Sequence, residues 1–282
     1  MLIINKNIIH NYCAGAIASC IKPGNQILFC AALISLSLFS NSAAQVNGIS
    51  GAKLCVPEAT TLSAGSFEFE PSFSVFSATN RFCENCSSES LSGKNVSSSV
   101  MLRLTAGVTE SWEIGTAFSS TIEQVSFGTK YILISSGNVN VGLITGVSLP
   151  AGNKFIADTT ADSDHHLISS YGTTASLKLT ESSSVDMIFS YTRIHGVHPF
   201  NNILNYGVGI GNWFSEKLQG VIELNGFSTY NNELFSGKLS LTPGLTYKIS
   251  DQLLFVLGFQ LDLKGKNEDK GFGYFSAFTI TF

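Results

Sequence analysis

Twelve ionisable side chains fall on every-second positions of alternating stretches: Glu68, Glu70, Arg103, Glu113, Lys130, Lys178, Asp186, Glu223, Lys238, Lys248, Asp262 and Lys264. Six are acids and six are bases. Successive side chains of a strand point to opposite faces, so each of these groups opposes an apolar face. Its own face carries glycines, hydroxyls and a few larger apolar residues, among them Phe76, Ile144, Ile188, Trp213, Val221 and Phe227. On the inner face of a tube, charges of both signs set a transverse field that sorts solutes. The same charges also neutralise one another and close a tube, and sequence alone leaves both outcomes open. The apolar members either give an aromatic solute a path or fill space.

Other reactive residues give weaker patterns. His165, His166, His195 and His198 fall between strands, with Ser163 and Ser169 nearby. A serine nucleophile needs a base within hydrogen-bond reach and a third group that orients the base. Serine-rich loops bring the first two together by chance, so no enzyme is expected. Asp158, Asp162, Asp164, His165 and His166 read as an acidic solvated loop before they read as a cation site. Neither a metal nor a cofactor is called for. Cys83-x-x-Cys86 lies in a polar stretch, Arg81–Asn95. A local disulfide and a pair of free thiols are both open, and a redox role would need a helix N-terminus that is not visible.

The elements that position these groups are strands. Only 13% of residues are charged, about half the share of a soluble domain. Ile27–Ser40 is a 14-residue apolar run preceded by Lys22 and followed by Ser42-Ala43-Ala44. This reads as a secretory signal over 1–44 with cleavage before Gln45, too short to span a bilayer as a helix of roughly 20 residues. Its removal leaves 14 basic and 20 acidic residues. No basic patch suits a nucleic acid. Residues 45–65 follow as an N-terminal segment expected in the periplasm, and whether it enters the strand domain is open. From 66 to 282 the chain reads as twelve strands: 66–78, 97–108, 112–119, 123–133, 139–149, 167–179, 184–194, 203–214, 218–228, 236–249, 252–264 and 272–282.

The turns repeat. Thr109-Glu110-Ser111, Thr180-Glu181-Ser182, Ser215-Glu216-Lys217 and Ser250-Asp251-Gln252 each follow an even-numbered strand, and Glu181, Glu216 and Asp251 are 35 residues apart. Longer loops, expected at 80–96, 150–166, 195–202, 229–235 and 265–271, follow odd-numbered ones. An even count with alternating short and long connections predicts an all-β fold, a transmembrane antiparallel up-and-down β-barrel of about 12 strands. A secreted sandwich also alternates, but its polar face would carry more charge and fewer glycines. Twelve strands close to a backbone diameter of roughly 24 Å.

The last strand, Gly271–Phe282, alternates and ends on an aromatic residue, and so resembles the closing strand of bacterial outer-membrane barrels. Gly65-Ser66-Phe67-Glu68-Phe69-Glu70-Pro71-Ser72-Phe73, Val108–Gly115, Phe127-Gly128-Thr129-Lys130-Tyr131 and Gly146–Gly152 occur in an order similar to that of the family called MetA-pathway of phenol degradation. The resemblance runs from about Thr61 to Phe282 and departs at Ala151 and in the cysteine-bearing loop. It implies a transporter in the outer membrane of a Gram-negative bacterium, passing small hydrophobic or aromatic solutes. Its partners would be outer-membrane lipid, the barrel-assembly machinery and the solute. A structural or adhesive barrel without transport is the alternative.

Overall fold

The computed structural model describes residues 46, 48–51, 53–83, 88–151, 166–195, 202–230 and 235–282. Twelve strands appear in chain order: β1 Phe67–Arg81, β2 Glu89–Thr109, β3 Trp112–Ser119, β4 Gln124–Ser136, β5 Val139–Pro150, β6 Leu167–Lys178, β7 Ser183–His195, β8 Asn202–Trp213, β9 Leu218–Tyr230, β10 Phe235–Ser250, β11 Leu253–Lys266 and β12 Asp269–Thr281. Each pairs antiparallel with its chain neighbours, and β1 pairs with β12 to close the ring. Closure leaves no strand edge with unpaired backbone groups, the condition for a sheet to span a membrane.

The two faces follow the alternation. On β4, Ser126, Gly128 and Lys130 are buried while Phe127 and Tyr131 are each 48% exposed. On β11, Val256, Gly258 and Asp262 are buried, and Phe259, Leu261 and Leu263 face outward. The buried face is polar and the exposed face apolar, the reverse of a soluble protein and the arrangement lipid requires.

Two connections are shorter than the sequence predicts. β2 begins at Glu89 and β12 at Asp269, so the loops expected at 80–96 and 265–271 shrink to 82–88 and 267–268. The ladder continues through Asn80↔Ser90 and Arg81↔Glu89 after a register shift near Ala78. Beyond the lipid both faces meet water, so backbone pairing persists where side-chain alternation fades. Cys83 is disulfide-bonded; Cys86, its expected partner, lies outside the described residues.

Phe282 closes the seam. Its N–H donates to Phe67 O (2.8 Å), and its carbonyl accepts from Phe67 N–H (3.3 Å). The ring is 70% exposed, so its lipid burial contributes at most about 1.5–3 kcal/mol. Deleting Phe282 should leave detergent refolding nearly intact while lowering outer-membrane abundance in cells, the outcome expected of a terminal aromatic that serves as an assembly signal. Normal abundance of the deletion on membrane immunoblots would remove the signal role.

Candidate functional site in the barrel lumen

The inward charges are organised around a chain segment rather than around an open bore. Residues 46–64 hydrogen-bond to inward side chains of β2, β3, β4, β6, β7 and β9, which lie around much of the ring. A segment that reaches all of these strands occupies the lumen.

Each contact uses a strand residue at an inward position. Glu113 of β3 accepts from Ser50 N–H (2.7 Å), Ser50 Oγ (2.6 Å) and Leu62 N–H (3.0 Å). Its register partner on β4, Lys130, lies 3.3 Å away and donates to the carbonyls of Ser50 (2.9 Å) and Glu58 (3.2 Å). Both side chains are fully buried. On β9, Glu223 accepts three successive backbone N–H groups, from Leu54 (3.1 Å), Cys55 (2.7 Å) and Val56 (3.0 Å). On β7, Asp186 and Ser184 hold the Lys53 ammonium, which also lies 3.3 Å from Glu58. Arg103 of β2 donates to Ile49 O (2.6 Å) and bridges Glu68 (2.6 Å) and Glu70 (2.9 Å).

Apolar contacts complete the fit. Val46, Ile49 and Val56 pack with Ile144 and Ile188, and Leu54 packs with Val221, Val256 and Ala277. The wall is notched by glycines where the segment passes. A Cβ on Gly115 would sit 2.0 Å from Gly48 O; one on Gly207 would meet Val56, one on Gly211 Lys53, and one on Gly244 Leu54. Gly48 itself has φ +89° and lies so close to β3 that a Cβ would meet Gly115 O at 2.8 Å. Only glycine suits both demands. The described residues of 46–64 therefore form a fitted plug.

Towards the long-loop end the lumen widens into a cavity of about 580 Å³ with Val46, Ile49 and Val56 in its floor. Phe76, Phe227, Asn205, Asn225, Gln260 and Lys238 line its walls, and Arg81 and Asp269 its mouth. Lys238 pairs with Asp262 (3.1 Å) and lies 4.6 Å from the centre of the Phe76 ring. At the mouth, burial raises the Glu268 carboxyl above its ordinary value although the Ser236 hydroxyl donates to it. In the β10–β11 turn, the hydrogen bond from Lys248 lowers that of Asp251.

The expected inward residues thus separate into three groups. Glu68, Glu70, Arg103, Glu113, Lys130, Asp186 and Glu223 surround the plug, and Lys238 with Asp262 borders the cavity. Lys178 ends β6 half exposed, paired with Glu181 of the adjacent turn, Lys248 is likewise paired with Asp251, and Lys264 is exposed near the end of β11. Trp213 ends β8 half-buried, its backbone N–H donated to Ser182 O. Both Lys178 and Trp213 sit at the short-turn mouth rather than along the bore. Sequence reasoning missed Ser50, Lys53 and Glu58, because the plug has no strand periodicity. Its one legible sign is the run of inward glycines Gly207, Gly209 and Gly211 on β8.

The fold is that of an outer-membrane β-barrel. An outer-membrane channel of the COG4313 group from Pseudomonas putida superposes with a TM-score of 0.64 over 79% of this chain and 98% of that one, at 12% identity. The KdgM porin in complex with disordered oligogalacturonate gives 0.50 over 77% and 99% at 9% identity. The NanC porin gives 0.50 over 75% and 98% at 7% identity. No protein-family profile and no curated relative matches the chain, so the likeness to the MetA-pathway family rests on its motifs.

His195, expected in a loop, instead ends β7, and its Nε2 lies 2.8 Å from Ser169 Oγ of β6. Among the described residues no carboxylate is hydrogen-bonded to the imidazole. His165, His198, Ser163 and the acidic group at 158–164 lie outside the described residues.

Proposed function

We propose that the protein is an outer-membrane channel for passive entry of small hydrophobic or aromatic solutes, held closed in this state by residues 46–64. The observation that carries the reading is a closed, two-faced barrel enclosing a cavity of about 580 Å³ in which Phe76 and Phe227 stand beside amides and an ammonium. Rings supply dispersion contact to an apolar solute, and the amides and Lys238 hold a polar or acidic substituent. A molecule of benzoate size fits that volume. The printed descriptions of the structural neighbours, a channel and two porins, favour transport. In this reading 1–44 is a cleaved export signal, and lipid and the assembly machinery are the partners.

One observation favours the alternative of a structural barrel: the plug fills the short-turn half. Planar-bilayer recording and liposome uptake of a small uncharged polar aromatic solute decide between them. A channel should show brief openings from a low resting conductance, and uptake faster than in empty liposomes. Silence in both assays under all voltages would favour the structural barrel.

A further inference from the structure

The wall around the plug is unbalanced. Among the described wall residues, Glu68, Glu70, Glu113, Asp186 and Glu223 face two bases, Arg103 and Lys130. A buried carboxylate needs donors or a counter-charge, since leaving it bare costs several kcal/mol. The plug supplies both. Lys53 is a tethered alkylammonium docked on Asp186 and Ser184, and the N–H groups of residues 54–56 converge on Glu223. The Glu58 carboxylate of the plug offsets the Lys53 charge, so N–H dipoles rather than net charge quiet the remaining wall acids. Once the plug leaves, those dipoles leave with it.

We propose that the lumen behind the plug is a cation path, and that the Asp186–Ser184 position filled by Lys53 accepts a permeating ammonium or alkali cation when the plug is out. This rests on the channel reading above and goes beyond it by assigning the charge of what passes. Rings of carboxylates replace part of an ion's hydration and favour cations over anions. The plug is then an autoinhibitory mimic of the permeant ion, occupying the same carboxylates with its own donors.

The test uses full-length protein with every wall carboxylate intact. Gly48→Val puts a branched side chain at φ +89° and 2.8 Å from Gly115 O, a change confined to the plug. Gly207→Leu crowds Val56 from the wall, where the nearest atoms are all side chains. Cys55 is a free, half-buried thiol within the plug, so maleimide labelling faster than in the wild type reports plug exit, with Cys55→Ser as the blank. The expected result is faster Cys55 labelling, a several-fold rise in bilayer conductance, and a reversal potential displaced toward that of K⁺ in a KCl gradient. Adding Asp186→Asn and Glu223→Gln should move that potential back toward zero. Fast labelling with a chloride-directed potential, or one indifferent to those two substitutions, overturns the cation path and leaves the channel standing. Fast labelling without current removes the channel itself. If Cys55 stays protected in both variants, the plug is a fixed part of the barrel and the proposal fails.

Discussion

Replacing Phe259 by arginine should weaken folding into lipid by about 2–4 kcal/mol, whereas arginine at the next residue, Gln260, should be tolerated. Phe259 is 51% exposed on the apolar face of β11, so a guanidinium there must sit in hydrocarbon or distort the bilayer. Gln260 points inward, 3.1 Å from Asp262 Oδ1, where a cation would share the carboxylate with Lys238 in a polar lumen. The two sites share strand, depth and register, so the comparison isolates the face. Urea titration of folding into phosphatidylcholine vesicles gives both free energies. Equal losses would mean that the outward face is not the lipid face.

This contrast rests on what was legible in the sequence. Lipid outside and a polar lumen inside force period-two alternation on every strand that crosses the membrane. That is why β3 occupies 112–119 as expected and the other strands agree to within a few residues over their membrane-crossing parts. The alternation fails where the constraint fails. Glu89–Val96 of β2, ahead of the expected start at 97, is mostly polar and does not alternate, so its pairing with β1 left no periodic trace. The charged inward positions were legible for the same reason, but their partners were mostly not. Glu113 and Lys130 face each other by hairpin register, a local relation. Asp186 and Glu223 find theirs on residues 53–56, more than 130 positions earlier. The contacts to Glu223 run through backbone N–H groups and so leave no signature of residue type, and Lys53 meets Asp186 from a segment without strand periodicity. The complementary record lies in the wall, at the glycines that let the segment in.

The Glu113–Lys130 pair should decide whether the plug stays seated. Breaking a buried ion pair by removing one member typically costs about 3–5 kcal/mol, because the other charge is stranded. Lys130→Met removes the cation and also the donor that holds the carbonyls of Ser50 and Glu58. The penalty need not unfold the barrel, whose strand ladders do not depend on this side chain. The cheaper response is for the plug to withdraw and water to reach Glu113, so the loss should appear as plug release. Cys55 labelling should accelerate strongly while the heat-modified gel shift of the barrel stays near its wild-type temperature. Adding Glu113→Gln removes the stranded charge and should slow the labelling again in the double variant. Lys178→Met is the control: its partner Glu181 is 98% exposed, and such surface pairs contribute about 0–1 kcal/mol. If Lys130→Met lowers the barrel's melting temperature with Cys55 still protected, the pair stabilises the sheet and not the plug.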